Sequence, residues 1–407
     1  MENLIGVLEQ VWVFIGNNPI KSVTIPPAIG YLVRIAFRSF KSRVKSKDPE
    51  VKNYFENKEL RKLPTDRLGY SDRMAYLMAE LSYLAYFEFE LPDGLQLDRF
   101  ILEPESLSKG KLIELVEKVA VLASSGKGNE DMLRAILKEN HFKLLKTFNE
   151  GPVQGWICKS VHPDPDQKPF LVTAFRGSEK KVNDWLTNAD AQPKELELEL
   201  ELEQKVHGGF YNSYQKINPD LQQVINAHKG MPVYFTGHSL GGAWATLASR
   251  FVKASSPTVC YTFGAPKVGN YELFFQVKTP AFRVVNSADI VPRLPPRTIL
   301  IKPLVWLCSA LEQVTTAIPF VSGGFRKAGS WLDRLKHYRH HGDLRYLTDV
   351  TDGRFGKTRL LNNVPFEDEQ LWFWKGIFAG FYNHPVKSHS MNIYRQKLKH
   401  IATERNK

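Results

Sequence analysis

The chain has 407 residues, of which 43% are apolar and 24% are charged. This balance is ordinary for a protein that buries a core, and it excludes a largely disordered chain. The formal net charge of +12 leaves two polyanions open as partners, nucleic acid and the anionic surface of a membrane. Because no stretch interleaves basic and aromatic residues as a nucleic-acid-binding module does, the sequence predicts no nucleic-acid partner.

The N-terminal stretch lacks the basic start and clean apolar run of a secretory signal, because Glu2, Glu9 and Gln10 interrupt it. The chain has no uninterrupted run of about 18 apolar residues, so no transmembrane helix is predicted. Three cysteines cannot all pair with one another, and Cys158 and Cys260 lie in apolar runs typical of buried thiols. The sequence therefore favours a cytoplasmic or peripheral-membrane protein and requires no oxidising compartment.

Residues 29–45 predict a basic amphipathic helix. One face carries the apolar residues Leu32, Val33, Ala36, Phe37, Phe40 and Val44, and another carries Arg34, Arg38, Lys41 and Lys45. Such a helix suits the headgroup region of an anionic membrane, and a helix packed on the rest of the protein with a solvated basic side fits equally well. We divide the chain into a helical N-terminal extension with a charged linker, residues 1–65, and a main domain, residues 66–407.

The main domain is predicted to begin with a helix that Ser71 caps and whose apolar residues repeat every three or four positions. Helices over 111–122 and 131–138 follow, and then strand-like runs over 142–148 and 155–161. The strict alternation of glutamate and leucine over 195–203 predicts a single half-buried strand.

Short apolar runs then alternate with helical stretches, at residues 170–175, 233–236, 259–263 and 282–285. This alternation predicts an α/β protein whose central sheet is mostly parallel and flanked by helices. In such sheets the chemistry lies at the carboxyl ends of the strands.

A G-x-S-x-G motif, Gly237 to Gly241, lies between the apolar run 233–236 and an alanine-rich helical stretch. This context predicts a nucleophile, Ser239, on a tight turn from strand to helix, as in the α/β-hydrolases. Glycine is required two residues before and two residues after the serine, because side chains would collide there. The helix N-terminus would aim free backbone N–H groups at the reacting centre.

A serine nucleophile needs a general base, and the base needs an acid that fixes its tautomer. In α/β-hydrolases these residues follow in the order serine, acid, histidine. Asp289 follows the apolar run 282–285, at the end of a strand where chemistry is expected, and is the predicted acid. Spacing alone leaves the base open among the later histidines: His337, His340, His341, His384, His389 and His400.

Five blocks resemble the class 3 lipases, the family of the fungal triacylglycerol lipases, in the family's order: residues 174–178, 207–210, 237–243, 262–270 and 285–296. The resemblance implies an α/β-hydrolase fold with Ser239 as nucleophile and Asp289 as acid. It also implies a histidine in a short loop near the C-terminus, followed closely by an aromatic residue. His389, followed by Tyr394, fits this pattern, so we choose His389 as the base and keep His341 as the alternative.

The resemblance further implies an oxyanion hole formed by the Leu240 backbone N–H and by Ser178, and a lid helix in the place of residues 179–190. The sequence departs from the fungal pattern at an insertion of about residues 297–336. A helical apolar stripe runs through it: Leu304, Leu307, Leu311, Val314 and Ile318. The insertion is a second lid, a membrane flap or a packed helix.

The histidine-rich stretch 337–341 resembles a structural block of the family, so we interpret it as a strand rather than a metal site. The sequence as a whole predicts a serine carboxylic ester hydrolase that acts on lipid esters, either acylglycerols or phospholipid acyl esters, without cofactor or metal. Two alternatives stay open. One is a soluble carboxylesterase for small esters, and the other is a catalytically silent lipase-like module that binds partners or membranes.

Overall fold

The computed structural model describes residues 68–86, 128–161, 167–177, 193–196, 203–296, 298–315, 319–348, 358–380 and 388–405. The predicted N-terminal extension with its basic helix lies outside these ranges. So do the predicted helix over 111–122, the oxyanion residue Ser178 and the predicted lid segment 179–190.

The main domain is built on one eight-stranded sheet with the spatial order β1-β2-β3-β6-β7-β8-β9-β10. The strands are β1 (Phe142–Glu150), β2 (Val153–Ser160), β3 (Leu171–Phe175), β6 (Val233–His238), β7 (Thr258–Phe263), β8 (Ala281–Asn286), β9 (Asp343–Leu347) and β10 (Leu360–Asn362). The five strands from β3 to β9 in that order are parallel, and β1, β2 and β10 add antiparallel pairs at the two edges. This is the mostly parallel sheet of the α/β-hydrolase fold, as the sequence predicted.

Helices cover both faces of this sheet. They are α1 (Asp72–Leu84), α2 (Gly128–Glu139), α3 (Gly208–Asn226), α4 (Leu240–Phe251), α5 (Tyr271–Phe274), α6 (Thr298–Val314), α7 (Pro319–Leu335), α8 (Phe366–Gly380) and α9 (Met391–Glu404). Buried residues of α1, α2 and α9 form one core, and those of α3 and α4 form a second. Because successive strand residues point to opposite faces, β6 gives Tyr234 to the first core and Phe235 to the second.

Helix α1 begins where the sequence predicted, since the Ser71 hydroxyl caps it by accepting the N–H of Met74 at 3.4 Å. It packs along α9, and the buried side chains of Glu80 and Arg395 form an ion pair of 3.4 Å between the two helices. This contact holds the start of α9 against the main core, and with it residues 388–390 directly before the helix.

The predicted single strand over 195–203 is wrong. The structure has two short strands, β4 (Pro193–Leu196) and β5 (Gln204–His207), which pair antiparallel in a separate two-stranded sheet. Leu196 lies opposite Gln204, so the chain reverses direction between them. The glutamate and leucine alternation gave no turn residue to mark this reversal.

The insertion 297–336 forms a hairpin of two helices, α6 and α7, and the predicted apolar stripe lies on α6 as far as Val314. The interpretation of 337–341 as a strand is wrong, because this stretch gives only an isolated bridge between Arg339 and Gly269 before β9 begins. Gly342, at a φ of 92°, separates the two. Among the described residues, no helix is both long and apolar enough to cross a membrane.

Candidate active site

Ser239 lies on a strained turn between β6 and α4, at a φ of 56° and a ψ of −126°. The glycines of the motif permit this turn. A Cβ on Gly237 would lie 2.3 Å from the carbonyl of Gly241, and one on Gly241 would lie 2.2 Å from the backbone oxygen of Phe175. A strained backbone at a buried serine is a common sign of a functional site, since the surrounding structure must hold it in place.

The structure brings together the three residues that the sequence analysis selected. His389 Nε2 lies 2.8 Å from Ser239 Oγ, and His389 Nδ1 lies 2.8 Å from Asp289 Oδ2 and 3.0 Å from Asp289 Oδ1. Ser239 follows β6, Asp289 follows β8 and His389 precedes α9, so three distant parts of the chain meet at the carboxyl edge of the sheet. Serine, imidazole and carboxylate thus form a continuous hydrogen-bonded line.

The Asp289 carboxylate is fully buried and receives two further hydrogen bonds. The backbone N–H of Val291 donates to Oδ1 at 2.9 Å, and the Tyr394 hydroxyl donates to Oδ2 at 2.6 Å. Burial, and then the carboxylate itself, raise the pKa of Tyr394, so its hydroxyl stays protonated and remains a donor. These donors fix the carboxylate in the orientation that His389 requires.

A second histidine, His238, contacts the backbone of His389 through its ring. Its Nε2 lies 2.6 Å from the backbone oxygen of His389, and its Nδ1 lies 2.6 Å from the Tyr86 hydroxyl. Since a carbonyl can only accept, Nε2 carries the proton and Nδ1 accepts from Tyr86. Burial lowers the pKa of His238 well below its ordinary value, and His389 lowers it further. A neutral His238 ring 4.5 Å from the His389 ring adds no repulsion when His389 gains a proton.

Asn286, the last residue of β8, ties the same loop to the sheet. Its side-chain amide donates to the backbone oxygen of Ser388 at 2.9 Å, and its backbone N–H donates to Tyr394 at 2.9 Å. The buried Lys397 ammonium donates to the Asn286 side-chain oxygen at 2.6 Å and to the Thr348 carbonyl at 2.9 Å. The backbone next to His389 is therefore bound to Asn286, and Asn286 is bound in turn to the helix that follows His389.

Gly264, at the end of β7, leaves room for this arrangement. It adopts a φ of 57°, and a Cβ there would lie 2.6 Å from Asp289 Oδ2 and 3.1 Å from His389 Nδ1. Glycine thus serves two needs here, since it reaches a conformation that other residues adopt only with strain and it lets the carboxylate and imidazole approach.

Of the predicted oxyanion residues, the structure describes only Leu240. Leu240 is the first residue of α4, so its backbone N–H has no partner within the helix. Arg176 is the first residue after β3, and its guanidinium donates to the Gln154 side chain at 3.0 Å. This contact ties the residue that follows β3 to the neighbouring strand β2, which contains Gln154.

The other histidines near β9 have structural contacts of their own. The His340 ring lies 2.6 Å from the Pro292 backbone oxygen, and the His341 ring stacks on Phe274 at 4.6 Å. Burial lowers the pKa of His341 to about 4. Within the described ranges, no group of three or more His, Cys, Asp or Glu side chains could hold a metal ion. His389 is the histidine whose ring contacts both Ser239 and Asp289.

The sequence analysis missed several residues of this site. His238 lies inside the G-x-S-x-G motif, and its position beside the nucleophile could have drawn attention to it. Tyr394 was noted only as the aromatic residue that follows His389. Tyr86 gave no signal, because nothing in the sequence around it indicates a contact 152 residues away.

Comparison with known proteins gives a consistent result over part of the chain. Residues 172–299 match the family model described as lipase, class 3. Secreted mono- and diacylglycerol lipase 1 of Fusarium solani is 36% identical over 134 residues, which are 31% of this chain and 39% of that protein. A chloroplastic phospholipase A1 of Arabidopsis thaliana is 29% identical over 213 residues, which are 48% of this chain and 26% of that protein.

The chain spans less than half the length of the curated relatives it matches. Among solved structures, the native Rhizomucor miehei lipase propeptide complex matches with 19% identity and a TM-score of 0.40. That match covers 60% of this chain and 70% of the solved one.

Proposed function

We propose that this protein, whose residues 172–299 match the family model of the class 3 lipases, hydrolyses the carboxylic ester bonds of lipids through an acyl-enzyme on Ser239. The observation that carries the proposal is the position of His389, whose two ring nitrogens lie 2.8 Å from Ser239 Oγ and 2.8 Å from Asp289 Oδ2. This geometry is that of a nucleophile, a general base and an orienting acid.

In the first half of the reaction, Ser239 Oγ attacks the ester carbonyl carbon while its proton passes to His389 Nε2. The tetrahedral intermediate collapses when the bond to the alkoxy oxygen breaks, and that oxygen leaves with the proton from His389. Asp289 stays ionised and stabilises the imidazolium that forms in between. The alcohol departs and the acyl group remains on Ser239 as an ester.

In the second half, a water molecule gives a proton to His389 Nε2 and attacks the acyl carbon. Collapse of this intermediate breaks the bond to Ser239 Oγ, which takes the proton back from His389. The products are a free fatty acid and the enzyme in its starting state. No cofactor or metal takes part in this reaction, since every proton is carried by His389.

Each tetrahedral intermediate bears a negative oxygen that requires hydrogen-bond donors. We assign this role to the backbone N–H of Leu240, at the N-terminus of α4, and to Ser178. Losing one donor of this kind commonly costs about 3 kcal/mol of transition-state stabilisation.

The substrate class that we propose is an acylglycerol or the acyl ester of a phospholipid. Of the two relatives described above, one is named a mono- and diacylglycerol lipase and the other a phospholipase A1. We also keep the division into an extension, residues 1–65, and a catalytic domain, residues 66–407. The basic helix at 29–45 is proposed as a peripheral contact with anionic membranes.

Hydrolysis of p-nitrophenyl esters of short and long chains tests this function. We expect wild type to prefer long chains, and Ser239→Ala and His389→Ala to lose activity by about 10⁴-fold or more. Ser249→Ala is the matched serine control, because Ser249 is buried in the helix that follows Ser239 and its hydroxyl donates to the Thr246 carbonyl at 2.7 Å. His341→Ala is the matched histidine control, and it should stay active.

Three outcomes would contradict the proposal in different ways. Activity in His389→Ala together with its loss in His341→Ala would move the base to His341. A preference for short, soluble esters would make the protein a carboxylesterase. Inactivity of the wild type on every ester would indicate a lipase-like module that binds rather than hydrolyses.

A further inference from the structure

The hairpin of α6 and α7 exposes apolar side chains that the rest of the described structure does not cover. Among the α6 residues 301–314, only Ile301 is buried. Trp306 is 72% exposed and Val314 is 80% exposed, which makes them the two most exposed large apolar residues in the described ranges. Exposed apolar side chains grouped on one element mark a binding surface more often than isolated ones do.

The hairpin is fixed at its base. Ile301, Leu335 and Tyr338 form a small buried cluster there, between the start of α6 and the end of α7. The loop between Asp289 and α6 is held in turn, because the buried Lys267 ammonium donates to the backbone oxygen of Arg293 at 3.2 Å. The hairpin therefore extends from the same loop that carries Asp289.

The two helices also pack closely on each other, which makes the hairpin one unit. A Cβ on Gly329 of α7 would lie 3.2 Å from Cys308 Cβ of α6. The close packing of the hairpin is between its own two helices, while Trp306 and Val314 are exposed to solvent.

The charge of the hairpin indicates what kind of partner it meets. Residues 298–336 contain five basic side chains against two acidic ones, Glu312 and Asp333. Arg326 and Lys327 on α7 are both exposed, and the Arg326 side chain is 73% exposed despite a 3.9 Å ion pair with Glu312. Two copies of this basic surface would repel each other, whereas an anionic surface would attract it.

The length of the helices decides how the hairpin can meet a lipid surface. Each helix has 17 residues. A helix of that length is about 25 Å long, shorter than the roughly 30 Å hydrocarbon core of a bilayer. An exposed tryptophan beside lysine and arginine is typical of helices that lie in the headgroup region.

We propose that the hairpin of α6 and α7 docks the protein on an anionic lipid surface, with Trp306 and Val314 in the interface. The purpose of this docking rests on the proposed lipid hydrolysis, because the hairpin would bring the loop of Asp289 to the surface that holds the ester. The docking itself can be measured without any catalysis.

Quenching of tryptophan fluorescence by brominated acyl chains tests the docking directly, in vesicles of equal parts phosphatidylglycerol and phosphatidylcholine. We expect the full-length wild type to be quenched, and Trp306→Phe to lose part of that quenching. Trp331→Phe, a half-buried tryptophan at the base of the hairpin, is the matched control and should be quenched like wild type. This readout reports on Trp306 even if residues 29–45 also bind the vesicle.

A second measurement is the partition of Trp306→Ala/Val314→Ser between vesicles and buffer. We expect about tenfold weaker partition, because two apolar side chains no longer leave water. Met132→Ala, which removes another exposed apolar side chain, should partition like wild type.

Equal quenching of wild type and Trp306→Phe would overturn the proposal. So would equal quenching on pure phosphatidylcholine, or a dimer that Trp306→Ala converts to a monomer while Trp306 stays unquenched. Hydrolysis of short-chain and long-chain p-nitrophenyl esters is assayed in parallel on every variant. If wild type hydrolyses none of these esters while Trp306 is quenched, the proposed function fails and the docking stands.

Discussion

The substitution Tyr394→Phe tests whether the Tyr394 hydroxyl orients the carboxylate of Asp289 or whether the side chain only fills the core. The hydroxyl donates to Asp289 Oδ2 at 2.6 Å and accepts the backbone N–H of Asn286 at 2.9 Å. All three groups are buried, so water cannot replace the lost oxygen. Removing a hydrogen bond to a charged group and leaving a buried N–H without a partner should together lower the free energy of unfolding by about 2 to 4 kcal/mol.

The same substitution should lower kcat by about tenfold with little change in KM. The carboxylate keeps its bonds to His389 and to the Val291 N–H, so it is loosened rather than released. A tenfold loss corresponds to about 1.4 kcal/mol in the activation barrier. Ester hydrolysis and urea unfolding measure the two quantities on the same protein.

Tyr346→Phe is the matched control for this substitution. Tyr346 is also fully buried, but its hydroxyl donates to the Ser287 and Glu369 carbonyls at 3.1 and 3.3 Å. It should lose about 1 kcal/mol of stability and keep its kcat. If Tyr394→Phe loses stability but keeps a wild-type kcat, Tyr394 does not orient the proposed catalytic carboxylate and our reasoning is refuted.

Three further predictions use neighbouring contacts. Gly264→Ala should abolish ester hydrolysis, because its Cβ would lie 2.6 Å from Oδ2 of the proposed catalytic residue Asp289. Gly230→Ala, at a φ of 85° in open space, should lose about 1 kcal/mol of stability and stay active. Tyr86→Phe, which removes the donor to His238, should lower kcat by several-fold and leave KM unchanged. Burial lowers the pKa of His207 to about 3, whereas a histidine in the unfolded chain has a pKa of about 6.5. Between these two pH values only the unfolded chain takes up a proton at His207, so the free energy of unfolding falls as the pH falls. His207→Asn keeps a side-chain acceptor for the helix cap. The free energy of unfolding of this variant should fall less steeply with pH than that of the wild type, by about 1.4 kcal/mol per pH unit. A slope equal to that of the wild type would contradict the assignment.

The sequence could locate the proposed nucleophile and the proposed acid because each follows a strand and has a local signal. Ser239 lies in a glycine motif between strand and helix, and Asp289 comes directly after an apolar run. The same kind of signal predicted the parallel strands and the capped helix at Ser71. The base could be chosen only by resemblance, since several histidines follow Asp289 and their spacing does not distinguish them.

The rest of the site depends on contacts between distant parts of the chain. Tyr86 reaches His238 only because α1 packs across β6, where Ser82 and Thr236 share a 2.8 Å hydrogen bond. Lys397 reaches Asn286 only because α9 lies on the sheet. No local pattern encodes such pairs, so they become visible when the fold is known.

Covalent trapping with a fluorophosphonate measures whether His389 activates Ser239. Intact-mass spectrometry of the wild type should show one added probe, and peptide mapping should locate it on Ser239. We expect no adduct on Ser239→Ala and labelling slowed by orders of magnitude in His389→Ala, with His341→Ala labelled like wild type. An adduct on another residue, or rapid labelling of Ser239 in His389→Ala, would contradict this expectation.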